Sequence, residues 1–74
     1  MMTLEEAVWQ DSERMSGVPC FRGTRVPVGI VFDYLGADQM GEFYEGYPNV
    51  TREQVEAVLE ASRRLIEDAL RQTA

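Results

Sequence analysis

The chain contains no histidine and no lysine, and it has a single cysteine among its 74 residues. Histidine is the usual proton carrier near neutral pH and the commonest metal ligand, so its absence removes the most frequent forms of catalysis and metal binding. Cys20 alone forms no internal disulfide, which excludes a disulfide-stapled secreted scaffold. No stretch approaches the roughly 20 apolar residues of a membrane-spanning helix, and the acidic first residues do not resemble a signal peptide. We therefore expect a cytoplasmic protein that is no enzyme and binds no metal, cofactor or membrane.

Acidic residues outnumber basic ones by 13 to 7, which gives a net charge of −6. Such a chain is repelled at long range by nucleic acid and attracted to basic partners. A chain this short also buries only about 60% of the surface that its unfolded form exposes, so it has little room for a deep active site. Its hydrophobic content of 45% and charged content of 27% are typical of a folded domain. These values predict one small globular domain with a preference for basic partners.

Two short elements are predicted in the first third of the chain. Thr3 and Glu6 have the spacing of a capping box, which indicates a short helical turn over about residues 4–8. Over residues 19–27, apolar residues flank an Arg-Gly-Thr-Arg turn, a pattern typical of a short hairpin or a bent strand. We expect this second segment to form the β element of the fold.

From residue 28 onward the apolar spacing becomes helical and predicts a mainly α fold. The pattern indicates a helix over 28–36, a shorter helix over 39–46, and a capped amphipathic helix over 51–71. We place a core domain at 1–61 and treat 62–74 as a continuation of the last helix. That helix, roughly 30 Å long, exceeds what the two preceding helices can cover. Part of its apolar stripe therefore requires another chain.

Carboxylates and Cys20 are the remaining candidates for metal binding or catalysis. Glu53, Glu56 and Glu60 share one helical face, as metal-binding carboxylates do, but a solvated face is the simpler interpretation because no complementary ligands accompany them. Cys20 has no histidine to activate it, so a small buried hydrophobic residue is the simpler interpretation there. A haem or ligand sensor is a third interpretation, and this ligand set serves it poorly.

The arginines allow two interpretations. Those of the Arg-Gly-Thr-Arg turn can contact phosphate or a partner's carboxylates, although composition alone favours a solvated turn. Three helices of these lengths also fit a helix-turn-helix arrangement, in which the start of the third helix faces the major groove of DNA. The candidate contacts to DNA phosphates are Arg22, Arg25 and Arg52. The candidate contacts to base edges are Thr51 and Gln54. Because one protomer carries −6, we expect any DNA contact to be made by a dimer or a larger complex.

Residues 9–28 resemble the N-terminal signature of the family catalogued as domain of unknown function 433, most clearly in Pro19-Cys20-Phe21-Arg22-Gly23-Thr24-Arg25-Val26. Tyr47-Pro48-Asn49-Val50-Thr51 and Gln54-Val55 take the places of the family's Tyr-Pro and of its capped last helix. Two departures are Val18, where the family usually has lysine, and residues 35–40, where the usual glycine between the first two helices is lost or displaced. The resemblance implies a homeodomain-like trihelical core with a helix-turn-helix and an N-terminal β element.

The same resemblance implies the antitoxin of a bacterial type II toxin–antitoxin pair, similar to VapB-type antitoxins beside PIN-domain ribonuclease toxins. Our interpretation is a protein that binds and neutralises a cognate toxin, as a homodimer or as a hetero-oligomer with it, and that is a candidate for binding its own operator. The residues expected against the toxin continue the apolar stripe: Leu65, Ile66, Ala69 and Leu70. A second copy of the chain is the other candidate for covering this stripe. The alternative function is a stand-alone dimeric helix-turn-helix regulator that binds DNA.

Overall fold

The computed structural model describes residues 2–13 and 16–73 of the chain. In chain order the elements are α1 (Leu4–Ala7), β1 (Val8–Trp9), β2 (Cys20–Phe21), α2 (Gly29–Gly36), α3 (Met40–Gly46) and α4 (Arg52–Thr73). The fold is mainly α with a small β element near the amino terminus, which confirms the predicted fold class, while the homeodomain-like arrangement of the helices stays a prediction. No helix within these described ranges is long and apolar enough to cross a membrane.

The first helical turn forms for the reason that its sequence indicates. The Thr3 hydroxyl accepts a hydrogen bond from the Glu6 N–H at 3.2 Å, and the Glu6 carboxylate accepts one from the Thr3 N–H at 2.9 Å. The pKa of the Glu6 carboxyl is lowered from its ordinary value, most of all by the hydrogen bond from the Thr3 backbone and to a smaller degree by hydrogen bonding with the Thr3 side chain. α1 is shorter than predicted because Val8 leaves the helix and enters β1.

The β element pairs differently from the prediction. β2 lies inside the predicted segment 19–27, but its antiparallel partner is β1, with Val8 opposite Phe21. The expected hairpin forms only as a single bridge between Cys20 and Pro27, flanked by two backbone hydrogen bonds of 3.0 Å, from the Phe21 N–H to the Val26 carbonyl and from the Val28 N–H to the Pro19 carbonyl. The pairing goes no further because the turn occupies residues 22–25 at one end and α2 begins at Gly29 at the other.

The three later helices begin and end within about two residues of the predicted helices. α2 ends at Gly36, and Asp38, in the turn before α3, has the left-handed backbone that aspartate tolerates better than most residues, with φ at +57°. α4 is 22 residues long and runs past Arg71 to Thr73. A helix of this length extends about 33 Å, well beyond the two short helices in front of it.

The hydrophobic core gathers around Phe43 of α3. This ring meets Tyr34 at 5.4 Å and Phe21 at 6.2 Å between centroids, both edge to face, which is a favoured aromatic geometry. The buried cluster takes residues from β2, from all three later helices and from the turn before α4: Phe21, Val31, Phe43, Val50, Val55 and Val58. From residue 59 to residue 72, no described side chain of α4 is buried. The core therefore anchors the first half of α4 and leaves the second half outside.

Candidate functional site

The second half of α4 presents apolar side chains to solvent. Leu65, Ile66 and Leu70 are 72%, 60% and 65% exposed, and Ala69 between them is exposed as well. These four residues, which we call the apolar stripe, are the ones predicted to contact a toxin. The structure brings them together on one side of one helix.

The polar side of the same helical segment is held together by ion pairs within the helix. Arg63 binds Glu60 and reaches Glu67 at 3.0 Å, and Arg64 reaches Glu60 at 3.2 Å. One turn further on, Arg71 and Asp68 form another pair at 3.0 Å. The hydrogen bond from Arg63 is the largest of the effects that lower the pKa of Glu60, and Glu60 in turn raises the pKa of Arg63.

The net charge of the chain is divided unevenly along its length. Residues 60–74 contain three acids and three arginines, so their net charge is zero. Residues 1–59 contain ten acids and four arginines, so they carry the entire −6. The molecule is therefore an acidic body from which a neutral, apolar-faced helix projects.

An apolar groove lies beside the base of this projecting helix. It has a volume of about 350 Å³ and is lined by Leu4, Val8, Pro19, Val28, Phe32, Val58, Ala61, Ser62 and Leu65. Leu4 and Phe32 are each 44% exposed, and Leu65 belongs to both the groove and the apolar stripe. Sequence reasoning missed this groove, because only the tertiary fold brings Leu4 of α1 and Phe32 of α2 beside the same stretch of α4.

The first of the predicted DNA contacts, Arg22, is used by the fold itself. Its guanidinium donates to the Glu5 carbonyl at 2.6 and 3.2 Å and to the Val8 carbonyl at 3.2 Å. These carbonyls lie at the end of α1, where a helix leaves acceptors without backbone donors and where a cation is favourable. Arg22 therefore caps α1 and ties it to the turn at residues 22–25.

Thr24 and Trp9 complete the structure of that turn. The Thr24 hydroxyl donates to the Phe21 carbonyl at 2.7 Å and accepts the Val26 N–H at 3.1 Å. The indole N–H of Trp9 donates to the Thr24 carbonyl at 2.8 Å. Gly23 has φ at +83°, a left-handed backbone that glycine adopts without strain. These contacts give the Arg-Gly-Thr-Arg sequence a structural role.

Gln54, predicted to contact a base edge, lies inside the domain. Its side chain forms a capping box with Thr51, accepting the Thr51 N–H at 2.9 Å, while the Thr51 hydroxyl accepts the Gln54 N–H at 3.1 Å. Its amide also donates to the Arg22 carbonyl at 3.1 Å, and the residue is only 7% exposed. The base contact predicted for Gln54 does not fit this position, because reaching DNA would break all of these bonds.

The other two predicted phosphate contacts remain at the surface. Arg52 lies over the ring of Tyr44, with 4.9 Å between its guanidinium carbon and the ring centroid, a cation–π contact between α4 and α3. Arg25 is exposed and borders a small cleft of about 230 Å³ together with Tyr47 and Asn49. Arg22 is exposed as well, but its guanidinium is already bonded to backbone carbonyls.

The candidate residues for metal binding and nucleophilic chemistry are not brought together. In the part of the chain that the structure describes, no group of three or more histidine, cysteine, aspartate or glutamate side chains is placed to hold a metal ion. Cys20 is buried in β2, with its sulfur 3.5 Å from the Val18 carbonyl. Glu60 pairs with arginines of its own helix.

The comparison with family models gives one clear match, over residues 8–60. The matched family is described as "Protein of unknown function (DUF433)". Neither the comparison with curated proteins nor that with solved structures gave a match. α1 and the whole apolar stripe lie outside the matched residues, whereas the core and the arginine turn lie inside them. Because the match covers most of the chain, this protein belongs to the DUF433 family.

Proposed function

We propose that this protein is a cytoplasmic, non-enzymatic antitoxin that binds and neutralises a cognate ribonuclease toxin of the PIN-like kind. The observation that carries the proposal is the apolar stripe, which projects beyond the core on a well-formed helix. An amphipathic helix of this type commonly binds in an apolar groove of another protein. The remainder of the proposal, toxin included, rests on the family resemblance.

The exposed side chains of the stripe provide a driving force for binding. Burying a leucine or isoleucine side chain completely contributes about 1.5–3 kcal/mol. Leu65, Ile66 and Leu70, which are more than half exposed, therefore offer about 3–6 kcal/mol in a partner's groove before the cost of association. Left exposed at cellular concentrations, such a stripe favours aggregation, so a partner also protects the chain.

The acidic body supports a basic partner. An enzyme that cleaves RNA binds a polyanion and needs a basic surface to do so. Residues 1–59 carry −6, so they attract such a surface and accelerate association in a manner that weakens as salt is added. In this arrangement the apolar stripe supplies affinity, and the body supplies attraction and covers the RNA-binding surface.

Co-expression with the protein encoded by the neighbouring reading frame tests the proposal. Wild-type chain should restore growth, whereas Ile66→Asp with Leu70→Asp should not, because two carboxylates cannot enter an apolar groove without large desolvation costs. Gln72→Asp is the control for added charge, since it places one carboxylate on an exposed position of the same helical segment outside the apolar stripe. Circular dichroism of the purified variants establishes that the domain remains folded. Full neutralisation by the folded double variant would place the toxin contact elsewhere.

A second candidate function is that of a dimeric helix-turn-helix regulator of DNA. It is favoured by the exposed Arg25 and Arg52 near the start of α4, and disfavoured by Glu53 beside them and by the burial of Gln54. Gel-shift titrations on the upstream operator at several salt concentrations test it. Arg25→Ala with Arg52→Ala should weaken binding and its salt dependence, while Arg71→Ala should not. Tight DNA binding by a proven monomer would contradict binding as a dimer.

A further inference from the structure

We propose that the apolar groove and the apolar stripe form one continuous docking surface for a single amphipathic helix of a partner protein, a helix with an apolar ridge and basic residues on both sides of that ridge. The inference rests on the proposed function only for the natural source of this helix, the toxin. It follows from the shape, the polar groups and the charges of the described residues, and its test requires no toxin.

The groove and the stripe share one wall, which is the apolar side of α4. The residues of α4 that line the groove recur at i, i+3, i+4 and i+7, on one side of the helix: Val58, Ala61, Ser62 and Leu65. Leu65 is also the first residue of the stripe, which continues to Leu70. From Val58 to Leu70 the surface is about 18 Å long, at 1.5 Å per residue. A partner helix of about a dozen residues has the same length, so one helix can contact both parts.

The groove is shaped for apolar side chains. Ala61 and Ser62 are small, and the larger lining side chains of Leu4 and Phe32 come from α1 and α2. A row of side chains on a partner helix fits over such small residues, because helices pack ridges into grooves. Ser62 has the one polar side chain among the described lining residues, and its hydroxyl already donates to a carbonyl of its own helix at 2.9 Å. The groove therefore requires no polar group from its occupant.

Acidic residues next to the groove favour cations on the flanks of that helix. Glu5 follows Leu4 in α1, Asp33 follows Phe32 in α2, and both acids are exposed. The ion pairs among the described residues all lie within α4, so Glu5 and Asp33 are open to a partner's lysine or arginine. The body of the chain carries the entire −6. A helix with basic flanks is therefore attracted to this surface, and one with acidic flanks is repelled.

A second copy of this chain does not match this occupant. Beyond Leu65, the edge of α4 that would enter the groove carries only Ala69 and Gln72, one too small and the other too polar to fill it. Two bodies that each carry −6 also repel each other. The occupant must therefore come from a different, basic protein.

The combined surface is large enough to bind a helix, whereas the groove alone is not. The large side chains that one helix would cover are Leu4, Phe32, Leu65, Ile66 and Leu70. At roughly 100 Å² each, they offer on the order of 500 Å², close to the low end of specific interfaces at about 600 Å² per partner. Contacts between the partner and the acidic body add to this area.

Fluorescence anisotropy with synthetic peptides tests the surface on the full-length chain. The probe is a labelled peptide of about 14 residues with leucine at i, i+3, i+4 and i+7 and lysine at the flanking positions. One comparison peptide has glutamate in place of lysine, and another has the composition of the probe in scrambled order. We expect the lysine peptide to bind about tenfold more tightly than either comparison peptide.

Uncharged substitutions separate docking in the groove from general electrostatic attraction. Phe32→Ser should weaken binding of the lysine peptide about tenfold, which corresponds to about 1.4 kcal/mol. Leu35→Ser is the matched control, because Leu35 lies on the same helix at 38% exposure but does not line the groove. Ile66→Ser should weaken binding about fivefold from the other end of the surface. Circular dichroism verifies that each variant is folded.

Three results would overturn the inference. The first is equal binding of the lysine peptide and either comparison peptide. The second is an equal effect of Phe32→Ser and Leu35→Ser. The third is an Ile66→Ser variant that binds the lysine peptide as tightly as the wild type, since the groove would then act without the stripe. Failure of the antitoxin role is a separate result: a chain that binds the lysine peptide in the expected pattern but does not restore growth keeps the docking surface and loses the toxin as its partner.

Discussion

Replacing Gln54 by alanine should destabilise the domain more than any surface change on α4. The substitution removes the acceptor for the Thr51 N–H, a loss of about 1 kcal/mol for a helix cap. It also removes the donor to the Arg22 carbonyl, and an unpaired buried acceptor costs about 1–3 kcal/mol. The expected loss is about 2–4 kcal/mol, out of a total stability of about 4–11 kcal/mol for a chain of this length.

Thermal and urea unfolding, followed by circular dichroism, measure this loss. For a domain of this size, we expect the midpoint of thermal unfolding to fall by about 10–25 °C. Gln72→Ala changes an exposed glutamine of the same helix and should alter stability by less than about 0.5 kcal/mol. Thr51→Ala removes the cap alone and should cost about 1 kcal/mol. If Gln54→Ala proves no worse than Thr51→Ala, the bond to the Arg22 carbonyl contributes nothing and the reasoning fails.

Two further predictions concern charged side chains. Arg22→Ala should cost about 1–2 kcal/mol in unfolding experiments because it uncaps α1, whereas Arg25→Ala should change stability by less than about 0.5 kcal/mol; equal effects would remove the capping role. The Arg63 hydrogen bond lowers the pKa of Glu60, so the folded state is favoured above the ordinary carboxyl value of 4.5, and this contribution is lost as the pH falls through the lowered value. Thermal melts between neutral and acidic pH should therefore show a smaller acid-induced loss in Glu60→Gln than in the wild type, and identical pH profiles would contradict this.

The parts of the fold that were predictable are those fixed by local sequence. The i, i+3, i+4, i+7 spacing from residue 28 and the Thr-x-x-Gln capping box at residue 51 act within one or two helical turns. They therefore indicated α2 and α4 without knowledge of the rest. β1 was not predictable in this way, because two residues form a strand only when Phe21 is already placed opposite Val8. That pairing is a tertiary event.

In the candidate site, too, local features could be predicted from the sequence and tertiary contacts could not. The apolar stripe could be predicted because its period is visible in the sequence and because the core ahead of it is too short to cover it. Only part of the role of Gln54 could be predicted. Its capping box with Thr51 is a local pattern, whereas its bond to the Arg22 carbonyl joins residues 32 positions apart. The groove was not visible, because no local pattern distinguishes a leucine on its rim from one in the core.

α4 has consequences for the exchange of backbone amide hydrogens with solvent. Val55 and Val58 lie in the core, so we expect their amides to exchange only when the whole domain opens, and those beyond residue 65 to exchange by fraying from the helix end. Helical segments of roughly a dozen residues are marginal alone, and each exposed ion pair adds only about 0.3–0.5 kcal/mol. Any partner that binds the second half of α4 must therefore hold it in helical form. Binding of that partner should slow amide exchange at the residues of α4 that it covers and leave the exchange rates near Val55 unchanged.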